Sequence, residues 1–291
     1  MSTTELMDVD RAAPDLPRVE PPGVETFSPG CGTAAVHSSR CPGKPTPNED
    51  AFAVVPFGGS AAVLIVADGL GGGRGGELAS AVTVQALELS LIEAVQNGQP
   101  LRTAILDGIE SANRRVRELA LGAASTLAIV EVQDGTARPY HVGDSTILIV
   151  GQRGKVKVQT VPHSPVGYAV ESGLLDAADA MHHEDRHVVS NVVGSDDMRI
   201  EIGSALSLSP RDTIVLASDG LSDNLHVEEI VELARKGPLP ECVRLLASAA
   251  RDRMQLAVPG RPSKPDDLTI VAFRLNGRVS TQTRTFSEGS G

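Results

Sequence analysis

Three apolar, strand-like runs in this chain end in an aspartate beside a glycine, and that recurrence limits the folds open to it. Residues 61 to 69 read AAVLIVADG, residues 140 to 145 read YHVGDS, and residues 213 to 221 read TIVLASDGL. A carboxylate at the end of a buried strand is costly unless something pairs with it, and a metal ion is a common partner. A fold that gathers these strand ends on one edge would bring Asp68, Asp144 and Asp219 to one shared site suited to cations.

The 291-residue length fits one large domain, since no charge block or low-complexity linker divides the interior. Residues 1–28, rich in proline and acids without apolar periodicity, are expected to form a disordered tail. Residues 29–275 are expected to form the folded domain, and 276–291 a second polar tail. A formal charge of −11 argues against a nucleic-acid surface. There is no apolar run of ~18 or more residues, so no membrane span is expected. No basic segment precedes an apolar core at the N-terminus, so no secretory signal is read. Three cysteines do not make a disulfide framework, and a reducing cytoplasm is the expected compartment.

Strand signals rich in Val, Ile and Leu cover 51–55, 61–67, 125–132, 137–142, 145–150, 155–161, 199–202, 213–218 and 268–274. Asp134-Gly135 marks a hairpin between two of them. Helical periodicity puts Leu78, Val82, Ala86 and Leu89 on one face, and Leu101, Ile105, Ile109, Ala112, Val116 and Leu119 on another. Further helices are expected at about 227–235 and 240–255. Two helices, four strands in a row, then two helices before a last strand do not alternate as a doubly wound sheet does. The order predicts an α+β fold with antiparallel sheets and helix pairs outside.

Acidic residues at strand edges are Glu49 and Asp50 in PNEDAF, Asp68, Asp144, Asp219, and Asp266 with Asp267 in KPDDLTIVAF. An oxygen-rich set of this kind favours magnesium, manganese or calcium over zinc. Turn aspartates are the plain alternative for any one position. Gly71, Gly73 and Gly76 satisfy G-x-G-x-x-G, but the intervening Asp68-Gly69 and the element order do not suit a dinucleotide site. His182, His183 and His187 cluster in a polar loop without a partner that completes a zinc set, and read as solvated residues. No arginine follows a cysteine by six positions and no G-x-S-x-G elbow occurs, so no covalent enzyme intermediate is expected.

Taken in order, the segments NEDAF, VADGLGGGRGGELAS, AASTLAIVEV, HVGDSTILI, IVLASDGLSD and KPDDLTIVAF resemble the bacterial-type metal-dependent serine/threonine protein phosphatases of type 2C (PPM). The resemblance runs from about Asn48 to Phe273. It implies a central antiparallel β-sandwich flanked by antiparallel helix pairs, in four layers αββα. It also implies hydrolysis of phosphoserine and phosphothreonine by a metal-activated water, with Mg2+ or Mn2+ as cofactor. Asp68 would bridge two core ions and Gly69 would offer its carbonyl. Asp219 and Asp266 would bind one ion, Glu49 would assist at the other, and Asp50 would orient the water. Asp144 would help hold a third ion.

Some positions depart from the family pattern. Pro45 stands where an arginine is usual, leaving Lys44 or Arg40 as candidates to bind phosphate. Gly73 and Leu70 replace histidines, Asp267 replaces an asparagine, and Asn191 stands where an arginine is often found. The expected partners are phosphorylated proteins, substrates also of a serine/threonine kinase, met by a flap at 163–190. Neither nucleic acid nor membrane is expected, and a monomer is. With only 2% aromatic residues and no tryptophan, a large aromatic docking surface is not expected. The alternative is a catalytically weak or inactive phosphatase-fold protein that regulates by binding phosphoproteins.

Overall fold

A computed structural model describes residues 23–71 and 74–276. Strands β1 (Glu25–Phe27), β2 (Gly32–Ser39), β3 (Asp50–Phe57) and β4 (Ala61–Leu70) lead into helices α1 (Arg74–Asn97) and α2 (Leu101–Glu118). Next come β5 (Ala124–Ser125), β6 (Leu127–Gln133), β7 (Thr136–Val142), β8 (Thr146–Val150) and β9 (Val156–Gln159). The short helices α3 (Pro165–Glu171) and α4 (Ala177–Ala180) and the pieces β10 (Glu201–Ile202) and β11 (Leu206–Ser207) follow. The described chain closes with β12 (Thr213–Ala217), α5 (Asp219–Ser222), α6 (Val227–Ala234), α7 (Leu239–Gln255) and β13 (Leu268–Leu275).

Two antiparallel sheets result. One runs β1-β2-β13-β12-β8-β9; the other runs β10-β7-β6-β4-β3, with β11 beside β7 and β5 beside β4. Alternation along β4 explains how they stack. Ala62, Leu64 and Val66 face the other sheet and meet Val36, Ile147, Ile149, Ile214, Leu216 and Phe273. Val63, Ile65 and Ala67 point the opposite way, into a layer formed with Leu87, Leu91, Ile105 and Ile109 of α1 and α2. Leu148, Val215 and Ile270 of the first sheet do the same against Val243, Leu246 and Ala250 of α7. A central strand buried on both faces must be apolar throughout, which is why β4 and β12 read as unbroken runs. The expected α+β fold in four αββα layers is the one formed.

Several local expectations hold. Asp134 and Gly135 both have positive φ (51° and 73°) and close the β6–β7 hairpin between Gln133 and Thr136. The buried stripe of α2 includes Leu101, Ile105, Ile109, Ala112 and Val116, as its period predicts, while Leu119, also expected on it, is the half-buried C-cap.

Others need correction. On α1 the expected face holds only in part: Ala86 is buried and Val82 packs against the core, but Leu78 and Leu89 are exposed, and Ala79, Thr83, Leu87, Leu91 and Ala94 are buried as well. This helix is apolar nearly all round, so periodicity alone could not select its buried side. Its composition over Gly75–Asn97 would pass for a membrane span, contrary to the sequence expectation, but it packs on α2, β3 and β4. The folded region also starts earlier than residue 29, because Glu25–Phe27 pairs with Ala34–Val36. The rest of the expected tails, residues 1–22 and 277–291, lies outside the described residues.

Replacing Leu64 with Ala should destabilise the protein by about 2–5 kcal/mol, because it opens a cavity between the sheets. The same change at exposed Leu78 should stay within about 0.5 kcal/mol. Urea denaturation of the two variants measures both.

Candidate metal centre

The antiparallel register of β3 and β4 pairs Asp50 with Asp68 across the strands, so two carboxylates leave adjacent backbones at the same sheet end. The strand end is fixed by hydrogen bonds rather than by apolar packing. Asp68 donates its N–H to Thr126 Oγ1 at 3.0 Å, and its carbonyl accepts from Thr126 N–H at 2.8 Å. Thr126 Oγ1 lies 2.6 Å from Ser145 Oγ, which ties this sheet to the loop that enters β8 of the other. Asp144 sits in that loop, just after Gly143, whose φ of 103° few other residues could adopt.

Ser218 makes a second bridge between the sheets. Its hydroxyl donates to Asp50 Oδ2 at 2.7 Å and accepts from Thr269 N–H at 3.0 Å. The next residue, Asp219, begins α5, and Asp266 stands just before β13. Five aspartates expected from widely separated segments, Asp50, Asp68, Asp144, Asp219 and Asp266, are thereby brought together.

Their electrostatics reflect the crowding. All five residues are half-buried, and Asp144 and Asp219 line a cleft. Burial, then the charges of Asp50, Asp219, Asp144 and Asp266, holds Asp68 well above the usual carboxylate range. Burial pushes Asp50 up to about 8 despite its hydrogen bond from Ser218. Asp144 rises to about 7 through burial and then the charges of Asp219 and Asp223. Asp219 and Asp266 are raised as well, again chiefly by burial. A site that resists ionisation in this way lacks positive charge, which divalent ions would supply.

The residues fit such ions. Asp50 Oδ1 and Glu49 Oε1 are buried without a hydrogen-bond partner. The donor set is oxygen throughout, as magnesium and manganese prefer. Space is also kept open by glycine. A Cβ on Gly76 would come within 2.4 Å of Glu49 Oε1 and 2.7 Å of the Gly69 carbonyl. The departure noted at Gly73 lies outside the described residues.

Lys44 has a different surrounding from the one expected of a phosphate ligand. Its Nζ is 2.6 Å from Glu49 Oε2 and 2.7 Å from Asp267 Oδ2, so two of its three donors already serve the protein. Asp267 also accepts from the backbone N–H of Cys41 and of Glu49, both at 2.7 Å. The carboxylate found here in place of an asparagine therefore has its own counter-ion. Arg40 is exposed and makes only a 3.5 Å contact to the Thr46 carbonyl.

Sequence reasoning assigned no role to Lys264 or Asp223, although both stand inside the quoted motifs. Lys264 Nζ lies 2.5 Å from Asp219 Oδ2, 2.8 Å from Asp223 Oδ2 and 3.2 Å from Asp266 Oδ2. Only tertiary structure brings its ammonium there. Beside these groups a cleft of about 580 Å³ runs under the segment that carries α3 and α4, lined in part by Asp144, Val166, Val170, Met181 and Leu225.

His182, His183 and His187 are exposed, in keeping with the reading as solvated residues, and His183 caps a short 3₁₀ turn at Glu184–His187 by accepting from Asp185 N–H. A separate trio does gather: His141, His163 and Glu201. Asn191 Oδ1 accepts from Arg199 N–H, which turns its NH₂ towards His163 Nδ1. Gly143 N–H donates to the same nitrogen at 3.0 Å. The proton must then reside on His163 Nε2, which donates to Glu201 Oε2 at 2.9 Å. A metal on that nitrogen would require an imidazolate, so His163 and Glu201 read as a hydrogen-bonded clamp on the loop before Asp144, while both ring nitrogens of buried His141 lack a hydrogen-bond partner.

A family model described as protein phosphatase 2C matches residues 39–255. The protein phosphatase PhpP of Streptococcus pneumoniae is 27% identical over 223 residues, covering 74% of this chain and 86% of that one. Among solved structures, the PPM Ser-Thr phosphatase MsPP from Mycobacterium smegmatis, in complex with cacodylate, superposes with a TM-score of 0.69. It is 26% identical, with 84% of this chain and 98% of that one covered. The catalytic domain of the serine/threonine protein phosphatase PstP, in complex with two manganese ions, shares the fold. Its TM-score is 0.66 at 22% identity, covering 84% and 98% of the two chains.

Two outcomes follow from this geometry. With chelator present, stability should fall as pH rises from about 4 towards 8, because unfolded aspartates ionise near 4. In the fold Asp144 and Asp50 hold their protons to about 7 and about 8. The folded state thus binds more protons across that window, and thermal melts should show the decline; saturating manganese should flatten it. Separately, Lys44→Met should cost about 3 kcal/mol by leaving Asp267 and Glu49 unpaired, and adding Asp267→Asn should recover part of the loss. Denaturation of the two single variants and the double variant measures the coupling.

Proposed function

Because this chain belongs to the protein phosphatase 2C family and is a metal-dependent protein serine/threonine phosphatase, we propose that the gathered carboxylates are its reaction centre. The observation that carries this reading is the in-register pair Asp50 and Asp68, closed in by Asp144, Asp219 and Asp266. Its substrates are phosphorylated proteins.

Asp68, Asp219 and Asp266 would hold two core ions, with Glu49 and the Gly69 carbonyl at the margin. Magnesium or manganese bound there would supply the charge that activates water and neutralises the phosphoryl oxygens. The protein's own contribution is position. Asp50 is anchored through Oδ2 to Ser218 while Oδ1 stays unpartnered, which leaves that oxygen to hold and orient a water. Ser218 and Thr126 keep the carboxylates on rigid strand ends, so little reorganisation is needed when the phosphoester arrives. The cleft beneath α3 and α4 offers room for the residues that flank the phosphorylated side chain.

A catalytically inactive regulator is not favoured, since the carboxylates of the centre are all in place. The reading further takes the protein to work in the cytoplasm as a monomer, opposite a serine/threonine kinase. Cytoplasmic residence is supported by Cys31, Cys41 and Cys242, which are all free thiols.

Phosphate release from a phosphothreonine peptide, with and without manganese, tests the centre. Wild type should depend on the metal, and Asp68→Ala should lower kcat by about 100-fold or more. Undiminished release by Asp68→Ala would refute the site, and metal-independent wild-type activity would refute the mechanism.

A further inference from the structure

Lys264 is held as firmly as the aspartates it meets. Its backbone N–H donates to Asn224 Oδ1 at 2.9 Å, and its carbonyl accepts from Asn224 Nδ2 at 2.8 Å. The same Nδ2 also donates to the Gly220 carbonyl, so one fully buried amide locks the lysine's segment onto α5. The side chain is thereby aimed at the acidic rim. Burial alone would lower its pKa, but the charges of Asp219 and Asp223 outweigh that and hold the ammonium above its ordinary value.

Three carboxylate oxygens at 2.5, 2.8 and 3.2 Å surround this one positive atom. The contact with Asp223 Oδ2 is an ion pair without hydrogen-bond alignment, as around a point charge rather than a directed donor. A magnesium, manganese or calcium ion takes carboxylate oxygens at about 2.0–2.6 Å. An ion on Asp219 Oδ2 would stand against the charge of an ammonium 2.5 Å from that oxygen, whereas Asp219 Oδ1 has no lysine contact among the described residues. The rim belongs to the mouth of the cleft that Asp144, Asp219 and Asp223 line. The opposite side of the centre, towards Asp50 and Asp68, has no lysine contact among the described residues.

We propose that Lys264 is a resident cation that occupies the Asp219–Asp223 rim in place of a divalent ion, limiting the centre to its two core ions. This rests on the metal-centre reading above and adds to it. A charge fixed to the backbone would neutralise the rim without depending on metal supply. It would also leave the Asp144 side of the cleft short of the further ion that its carboxylates could otherwise hold.

Manganese counting on the full chain tests this, by equilibrium dialysis with elemental analysis and by thermal melts in chelator. Wild type should saturate at about two ions per chain. Lys264→Met should take up about one more, while Lys264→Arg keeps the wild-type count. In chelator Lys264→Met should melt below wild type, and manganese should raise its Tm by more than it raises that of wild type. Equal, non-zero counts for wild type and Lys264→Met would overturn the role of the lysine alone. If Lys264→Met does not fold, a wild-type count of three would overturn it equally. Wild type that binds no manganese would overturn the metal centre, and this proposal with it.

Discussion

Like charges crowded at the edge of the sandwich set the terms for everything around them. Two ionised carboxylates about 4 Å apart repel by about 4 kcal/mol at an effective dielectric near 20. Asp50, Asp68, Asp144, Asp219 and Asp266 all have raised pKa values, chiefly through burial and then through the charges of neighbouring carboxylates. Left on flexible loops, the five would move apart. They stay together because each leaves a backbone fixed by strand pairing, by a hydroxyl bridge or by a tight turn.

Rigidity at that edge comes from the layers behind it. Strands buried on both faces, β4 and β12 above all, cannot shift without opening voids on two sides at once. Ser218, and Thr126 with Ser145, then join the sheets where the carboxylates emerge. Two lysines complete the balance of charge inside the protein. Lys44 serves Glu49 and Asp267 at one margin, and Lys264 serves Asp219, Asp223 and Asp266 at the other. Between them lies the region left short of positive charge, and it contains the unpartnered oxygen of Asp50.

What could be read in advance depended on whether a signal was local. An unbroken apolar run followed by Asp-Gly announces a doubly buried strand and its polar end, so β4 and β12 were legible together with Asp68 and Asp219. The stripe of α2 was legible because one face is apolar and the other charged. On α1 apolar residues surround the helix, and the buried side was decided by which face met β3, β4 and α2. Strand β2 (GTAAVHSS) gave no clear strand pattern, although its place beside β13 makes it central to the first sheet. Ala35 packs beneath α7 while Ala34 and Val36 face the other sheet, a constraint seen only after packing.

Sequence alone determined the layered α+β architecture and the identity of the aspartates, since alternating burial and strand-end carboxylates are written into short segments. Tertiary structure decided how those aspartates are balanced. Lys44 lies more than two hundred residues from Asp267, and Lys264 forty-five residues from Asp219, yet each pair is in direct contact. No periodicity links such positions, because ion pairing depends on where side chains meet in space and not on their spacing along the chain. The recurring Asp-Gly endings therefore pointed to a site for cations, and only the fold placed a lysine, Lys264, against one of them, Asp219.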